Sequence, residues 1–148
     1  MDRRVVITGI GMVTPLGVGR EAFAEALWRG QTGIGEITAF PTDALASHLG
    51  AQCLAFQPRD FISLKNLRKM DRLSAMTTAS VRMALDDAGI RIDPANRDRI
   101  GIVMGTAFGN TEHKVQSARV LFTEGPGMVS PIHVPNTVMN APAGHASI

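Results

Sequence analysis

An apolar run that ends in closely spaced glycines constrains this chain more than any other stretch: residues 4–17 read RVVITGIGMVTPLG. Val5, Val6, Ile7 and Ile10 supply the apolar body of a parallel strand buried on both faces. Gly9, Gly11 and Gly17 allow positive φ or close approach of another backbone, and Pro15 fixes one φ inside the turn. The segment predicts a rigid strand-to-helix connection, and α/β proteins place ligands at such turns.

Ile100 to Met104, IGIVM, repeats the design, running into Gly105-Thr106-Ala107-Phe108-Gly109-Asn110. The strongest helix lies between, over residues 71–88: Asp71 is a good N-cap, and Leu73, Met76, Ser80, Met83 and Ala84 share a stripe. Gly89 suits a Schellman end, and Asp86 and Asp87, near the negative end of the dipole, need solvent or an arginine. A shorter helix over 20–29 carries Phe23, Ala26 and Leu27 on one face and stops at Gly30. Residues 31–47 read as a loop, Gly50 to Phe56 as a short strand, and Thr111 to Phe122 as a helix. Asn136 reads as the N-cap of a last helix that Pro142 and Gly144 distort or shorten. Buried strands with helices between them predict an α/β fold.

At 148 residues one domain with one core is expected, and 45% hydrophobic against 19% charged residues is a globular balance. No apolar run is long enough to span a bilayer. Met1-Asp2-Arg3-Arg4 and Ala22-Phe23-Ala24 imitate the ends of a secretory leader, but Thr8, Gly9, Gly11 and Thr14 dilute the stretch between them, and Arg20 and Glu21 interrupt it. The expectation is a cytoplasmic protein without a membrane partner. A formal charge of +2 lacks the dense basic footprint of a nucleic-acid binder. The single cysteine, Cys53, has no partner for an internal disulfide and suits a reducing compartment.

Gly9-Ile10-Gly11 invites a dinucleotide-binding reading, although Thr14 stands where the third glycine belongs and Pro15 removes an amide. Lys65, Arg68, Lys69 and Arg72 recur at i, i+3, i+4 and i+7, so a helix over 64–72 would carry four cations on one face, either to attract an acidic partner or simply as a solvated surface. No metal-site or serine-hydrolase motif occurs, and neither cofactor nor metal is expected. His48, His113, His133 and His145 are scattered, which suits structural histidines better than ligands. Cys53 lies in a weak strand without a histidine nearby in sequence, which suits an inert thiol.

Four stretches, RVVITGIGMVTPLG, KNLRKMDR, RIGIVMGTAFG and NTVMNAPAGHASI, resemble in order the β-ketoacyl-acyl-carrier-protein synthases, in particular the synthase II type of the thiolase superfamily. The resemblance spans the chain. It implies a thiolase-like α/β fold, two similar halves, of which residues 1–148 are most of the first. It also implies a condensing acyltransferase of fatty-acid or polyketide synthesis: an acyl group passes from its carrier to a cysteine, and decarboxylation of a malonyl carrier yields the carbanion that attacks the thioester. The family's nucleophile follows the segment resembling AGHASI, so no catalytic residue is expected within this chain. Carrier-protein docking falls by resemblance to Lys65, Arg68, Lys69 and Arg72. The acyl channel and subunit interface fall to the loop Gly105 to Gly109 and the segment Ser130 to Asn140, with Phe108 as gate, or else as plain core, and His133 and Val134 nearby from the other subunit of a homodimer or related heterodimer. His133 stands where the family commonly has an apolar residue, which leaves chain-length preference open. The alternative is a noncatalytic carrier-docking or dimerisation module.

Overall fold

The computed structural model describes residues 4–148, so Met1, Asp2 and Arg3 of the leader-like stretch lie outside the described residues. In chain order it has β1 (Val13–Thr14), β2 (Gly17–Val18), α1 (Arg20–Trp28), β3 (Ile34–Glu36), β4 (Leu49–Ala51), α2 (Leu64–Leu67), α3 (Arg72–Asp87), α4 (Thr111–Glu124) and α5 (Ala141–Ala146). Where the length predicts one core, the chain divides into two compact units, Met1–Gln57 with Arg82–Ile90 and Pro58–Val81 with Arg91–Ile148.

In the first unit, residues 4–10 make no ladder among the described residues, contrary to the expected buried strand, and Val5 is 92% and Ile7 85% exposed. A parallel strand is held by neighbours on both sides, and no described residue supplies one. The run into the turn is nonetheless anchored. Gly9 packs against the last turn of α3, where an added Cβ would overlap the Ala84 carbonyl and lie 2.6 Å from the Ala88 nitrogen. Ile10 N–H donates to Asp87 Oδ2 at 2.9 Å, and Arg20 pairs with the other oxygen of the same carboxylate. Asp87 thus finds the arginine its place near a helix C-terminus calls for.

The turn around Pro15 is a tight antiparallel hairpin, Val13 opposite Val18, in which Thr14 Oγ1 donates to the Gly17 carbonyl and accepts from Leu16 N–H. Helix α1 follows, buries Ala26 and ends at Gly30 as expected: Gln31 N–H reaches the Ala26 carbonyl and Gly30 N–H the Leu27 carbonyl. The expected loop over 31–47 contains β3, which pairs antiparallel with β4 (Ile34 opposite Ala51). The strand placed at Gly50–Phe56 runs only over Leu49–Ala51.

Arg20 also pairs with Glu21. The Glu21 carboxyl is held below its ordinary value near 4.5, first by a backbone hydrogen bond and then by the guanidinium. Its contribution to stability is therefore complete above the ordinary carboxylate pKa and is lost as the pH falls through the lower folded value. Replacing Arg20 with Gln is expected to shrink this acid-side loss, measured as unfolding free energy between about pH 5 and 3. A pH profile identical to that of the unsubstituted protein would contradict it.

In the second unit Asp71 caps α3, its Oδ1 accepting from Ser74 N–H at 2.8 Å. The helix buries Ser74, Ala75 and Ala79, while the predicted stripe of Leu73, Met76, Ser80, Met83 and Ala84 is half-buried. Small side chains therefore mark its tightest packing. At its far end, within the first unit, Gly89 takes φ 65°, Ile90 N–H reaches the Leu85 carbonyl, and Gly89 N–H that of Asp86, the predicted Schellman pattern. Residues 100–104, expected as a second buried strand, run without a ladder among the described residues: Ile102 and Met104 are half-buried and Val103 is fully exposed. As with residues 4–10, the partner strands are what is lacking. Asn136 is not the N-cap of the last helix. It sits in a single 3₁₀ turn, Val134–Thr137, and Asn140 precedes α5, whose first turn holds Pro142 where a missing N–H costs nothing.

Candidate functional site

The four predicted cations do not share one helix. Asp71 needs a non-helical backbone to cap α3, so the chain breaks after the turn that begins at α2. That turn continues past Leu67 through Arg68 N–H to the Leu64 carbonyl and Lys69 N–H to the Asn66 carbonyl. Lys65, Arg68 and Lys69 ride on it, all exposed, and none forms an ion pair among the described residues. Arg72 begins the next helix. Three positive charges on one turn, without a counterion among the described residues, make a local attractor for an acidic surface.

Beneath this turn lies a buried amide that no spacing argument singled out for that place. Asn136 is 1% exposed, and its Nδ2 donates to the Lys69 carbonyl at 2.9 Å. That acceptor fixes the orientation of the amide, so Oδ1 accepts at 2.8 Å and His145 Nε2 carries the proton. The Asn136 carbonyl accepts from Asn110 Nδ2 at 3.0 Å, while the second hydrogen of that Nδ2 goes to His113 Nδ1 at 2.8 Å. Asn110 Oδ1 takes His113 N–H and so caps α4. His113 stacks on His133 with ring centroids 4.7 Å apart. The rings of His113 and His145 thus bond to two asparagines, and His133 joins them through its stack on His113. His48 belongs to the first unit, where its Nδ1 lies 3.0 Å from Thr42 Oγ1. No group of three or more His, Cys, Asp or Glu side chains able to hold a metal occurs among the described residues.

The remaining site residues flank this network. Phe108, two residues before Asn110, is 82% exposed, which removes it from the core of this chain. Val134 is exposed on the 3₁₀ turn, and the half-buried His133 turns its ring onto His113 of its own chain. The Asn110–Asn136 bond ties the Phe108 loop to the His133–Val134 segment, and the Asn136–Lys69 bond ties that segment to the basic turn.

Two first-unit features fare differently. The Gly9-Ile10-Gly11 turn leads into a hairpin, and the amide a phosphate would need, Ile10 N–H, is taken by the Asp87 carboxylate. A negative group there repels a pyrophosphate, which argues against the dinucleotide reading. Cys53 is half-buried, with its Sγ 3.8 Å from the Val13 carbonyl. It lies on no helix N-terminus that would activate a thiolate.

The sequence model of the β-ketoacyl synthase N-terminal domain matches residues 2–148. The chain belongs to this family. It is 34% identical over 146 residues to 3-oxoacyl-[acyl-carrier-protein] synthase 2 of Coxiella burnetii and 36% identical over 146 residues to that of Vibrio cholerae, in each case covering 99% of this chain and 35% of the relative. It therefore spans about a third of the length of the curated relatives it matches. Among solved structures, the ishigamide ketosynthase/chain length factor superimposes with a TM-score of 0.81 at 26% identity, over 98% of this chain and 36% of that one. A β-ketoacyl synthase from Burkholderia phymatum gives 0.79 at 28%, over 99% and 36%. A type II polyketide ketosynthase in complex with its acyl-carrier protein gives 0.75 at 23%, a likeness of fold. The fold is thus that of the ketosynthases, thiolase-like α/β, and residues 4–10 and 100–104 belong to it without forming a ladder here. No helix among the described residues is long and apolar enough to cross a membrane.

Proposed function

We propose that residues 1–148 are the N-terminal portion of a condensing acyltransferase that extends an acyl chain with malonyl-acyl carrier protein in fatty-acid or polyketide synthesis. The family match over residues 2–148 supports this most directly. In this reading the cysteine that forms the acyl thioester, and the groups that assist it, are supplied by residues beyond these. This chain supplies the doorway. Lys65, Arg68 and Lys69, with Arg72 at the edge, receive the acidic carrier, and the lack of ion pairs at the first three among the described residues supports that role. Phe108, His133 and Val134 form the acyl channel and the surface for a second subunit, and the exposure of Phe108 and Val134 favours a partner there. We place the protein in the cytoplasm, a reducing compartment that suits Cys53, the one cysteine of these 148 residues.

Reversing charge at Lys65, Arg68 and Lys69 together is expected to raise the Kd for the acyl carrier by at least about tenfold at low salt and to flatten its salt dependence, since three favourable pairs become repulsive. Titration of the carrier against the complete enzyme measures both. An unchanged Kd and salt slope would remove the docking assignment.

A further inference from the structure

We infer that Asn136 is a positioning residue for carrier docking, the buried amide that holds the basic turn at the height and orientation the carrier meets; this rests on the docking role proposed for Lys65, Arg68 and Lys69. The turn has little to hold itself. Helix α2 is four residues long, and isolated helical segments of that length do not persist in water. Its buried anchors in sequence are Ile62 before it and Asp71 after it. Between them Lys69 offers a carbonyl at the frayed end of the turn, and Asn136 donates to it from 67 residues away. The donor is itself fixed: His145 Nε2 holds Asn136 Oδ1, and Asn110 Nδ2 holds the Asn136 carbonyl. Neither the ring nor either amide can turn away without stranding a buried polar group.

The same bond couples two surfaces. Asn136 lies in the 3₁₀ turn that carries Val134, and Asn110 follows the Phe108 loop, so a carrier that loads the Lys69 turn pushes on the segment assigned to the acyl channel. A merely space-filling residue would transmit nothing of the kind. An aspartate separates the two roles. It has the size of asparagine and keeps an acceptor for His145, but it places an oxygen against the Lys69 carbonyl where a donor is required.

The test uses the complete condensing enzyme. Asn136→Asp is expected to raise KM for the acyl carrier about fivefold while kcat falls less than twofold, because the loss of one buried hydrogen bond loosens the turn without touching the reacting atoms. Loss of kcat with KM unmoved, or an equal loss on a carrier-free acyl thioester, would overturn the proposal and mark Asn136 as general scaffold. Charge reversal at Lys65 and Arg68 runs in parallel: if it leaves the carrier KM unchanged, the docking assignment itself fails, whereas a strong effect there beside a normal Asn136→Asp enzyme refutes the positioning role alone. Should the variant not fold, hydrogen exchange of the unsubstituted enzyme decides. Carrier binding should slow exchange both in residues 63–70 and in residues 134–137, and protection confined to 63–70 would overturn the coupling.

Discussion

Gly9→Ala is expected to destabilise the protein by about 3 kcal/mol, near the upper end for overpacking. The added methyl would meet backbone, the Ala84 carbonyl and the Ala88 nitrogen, rather than the flexible tip of a side chain. Backbone at the end of a capped helix has nowhere to go. Relief would require lifting residues 9–10 away from α3, and that would also break the Ile10 N–H bond to Asp87. Measured in the complete enzyme, about three times this length by its relatives, such a loss lowers the thermal midpoint by roughly 3 °C. Gly127→Ala is the control: it is exposed in a short 3₁₀ turn, nothing lies within 4 Å of its Cβ position and its φ is not positive, so its midpoint should stay level or rise slightly. Equal midpoints for the two variants would refute the close approach.

What was legible in the sequence divides along the range of the interactions involved. Asp71 and Gly89 bracket α3 through bonds to residues three to five positions away, so both ends were readable, as was the stop of α1 at Gly30. The cation spacing was readable for Lys65, Arg68 and Lys69 but misled at Arg72, because Asp71 serves the following helix and interrupts the preceding one. Residues 4–10 and 100–104 announce burial by composition alone. Composition records that a strand is to be covered, not whether the covering strands are in the same stretch of chain. The three-residue strand β3 carries too little alternation to be seen, and β4 was legible only in part, its Gly50 and Ala51 falling within the expected Gly50–Phe56. Least legible was the amide network, since Asn136 reaches Lys69 across 67 positions and Asn110 across 26, and an asparagine beside a proline looks like any turn residue. The convergence of His113, His133 and His145 left no trace in their spacing.

The second large effect concerns the chain on its own. Residues 1–148 produced alone are expected to self-associate at micromolar concentration and to bind an apolar dye such as ANS strongly. Val5, Ile7 and Val103, residues of strand composition, stand almost fully exposed, as do Phe108 and Phe122. Unpaired extended segments of this kind recruit one another. Sedimentation and dye fluorescence, compared with the complete enzyme, measure the difference. A sharp, reversible melt of a dye-free monomer would show instead that these segments are satisfied within the chain.

The doorway role is tested most directly by finding where the acyl group goes. After incubation of the complete enzyme with an acyl-carrier thioester, peptide mass spectrometry should place the adduct on a thiol outside these 148 residues and leave the Cys53 peptide unmodified, and the 148-residue chain alone should acquire no adduct. Acylation of Cys53 by the isolated chain during turnover would contradict it.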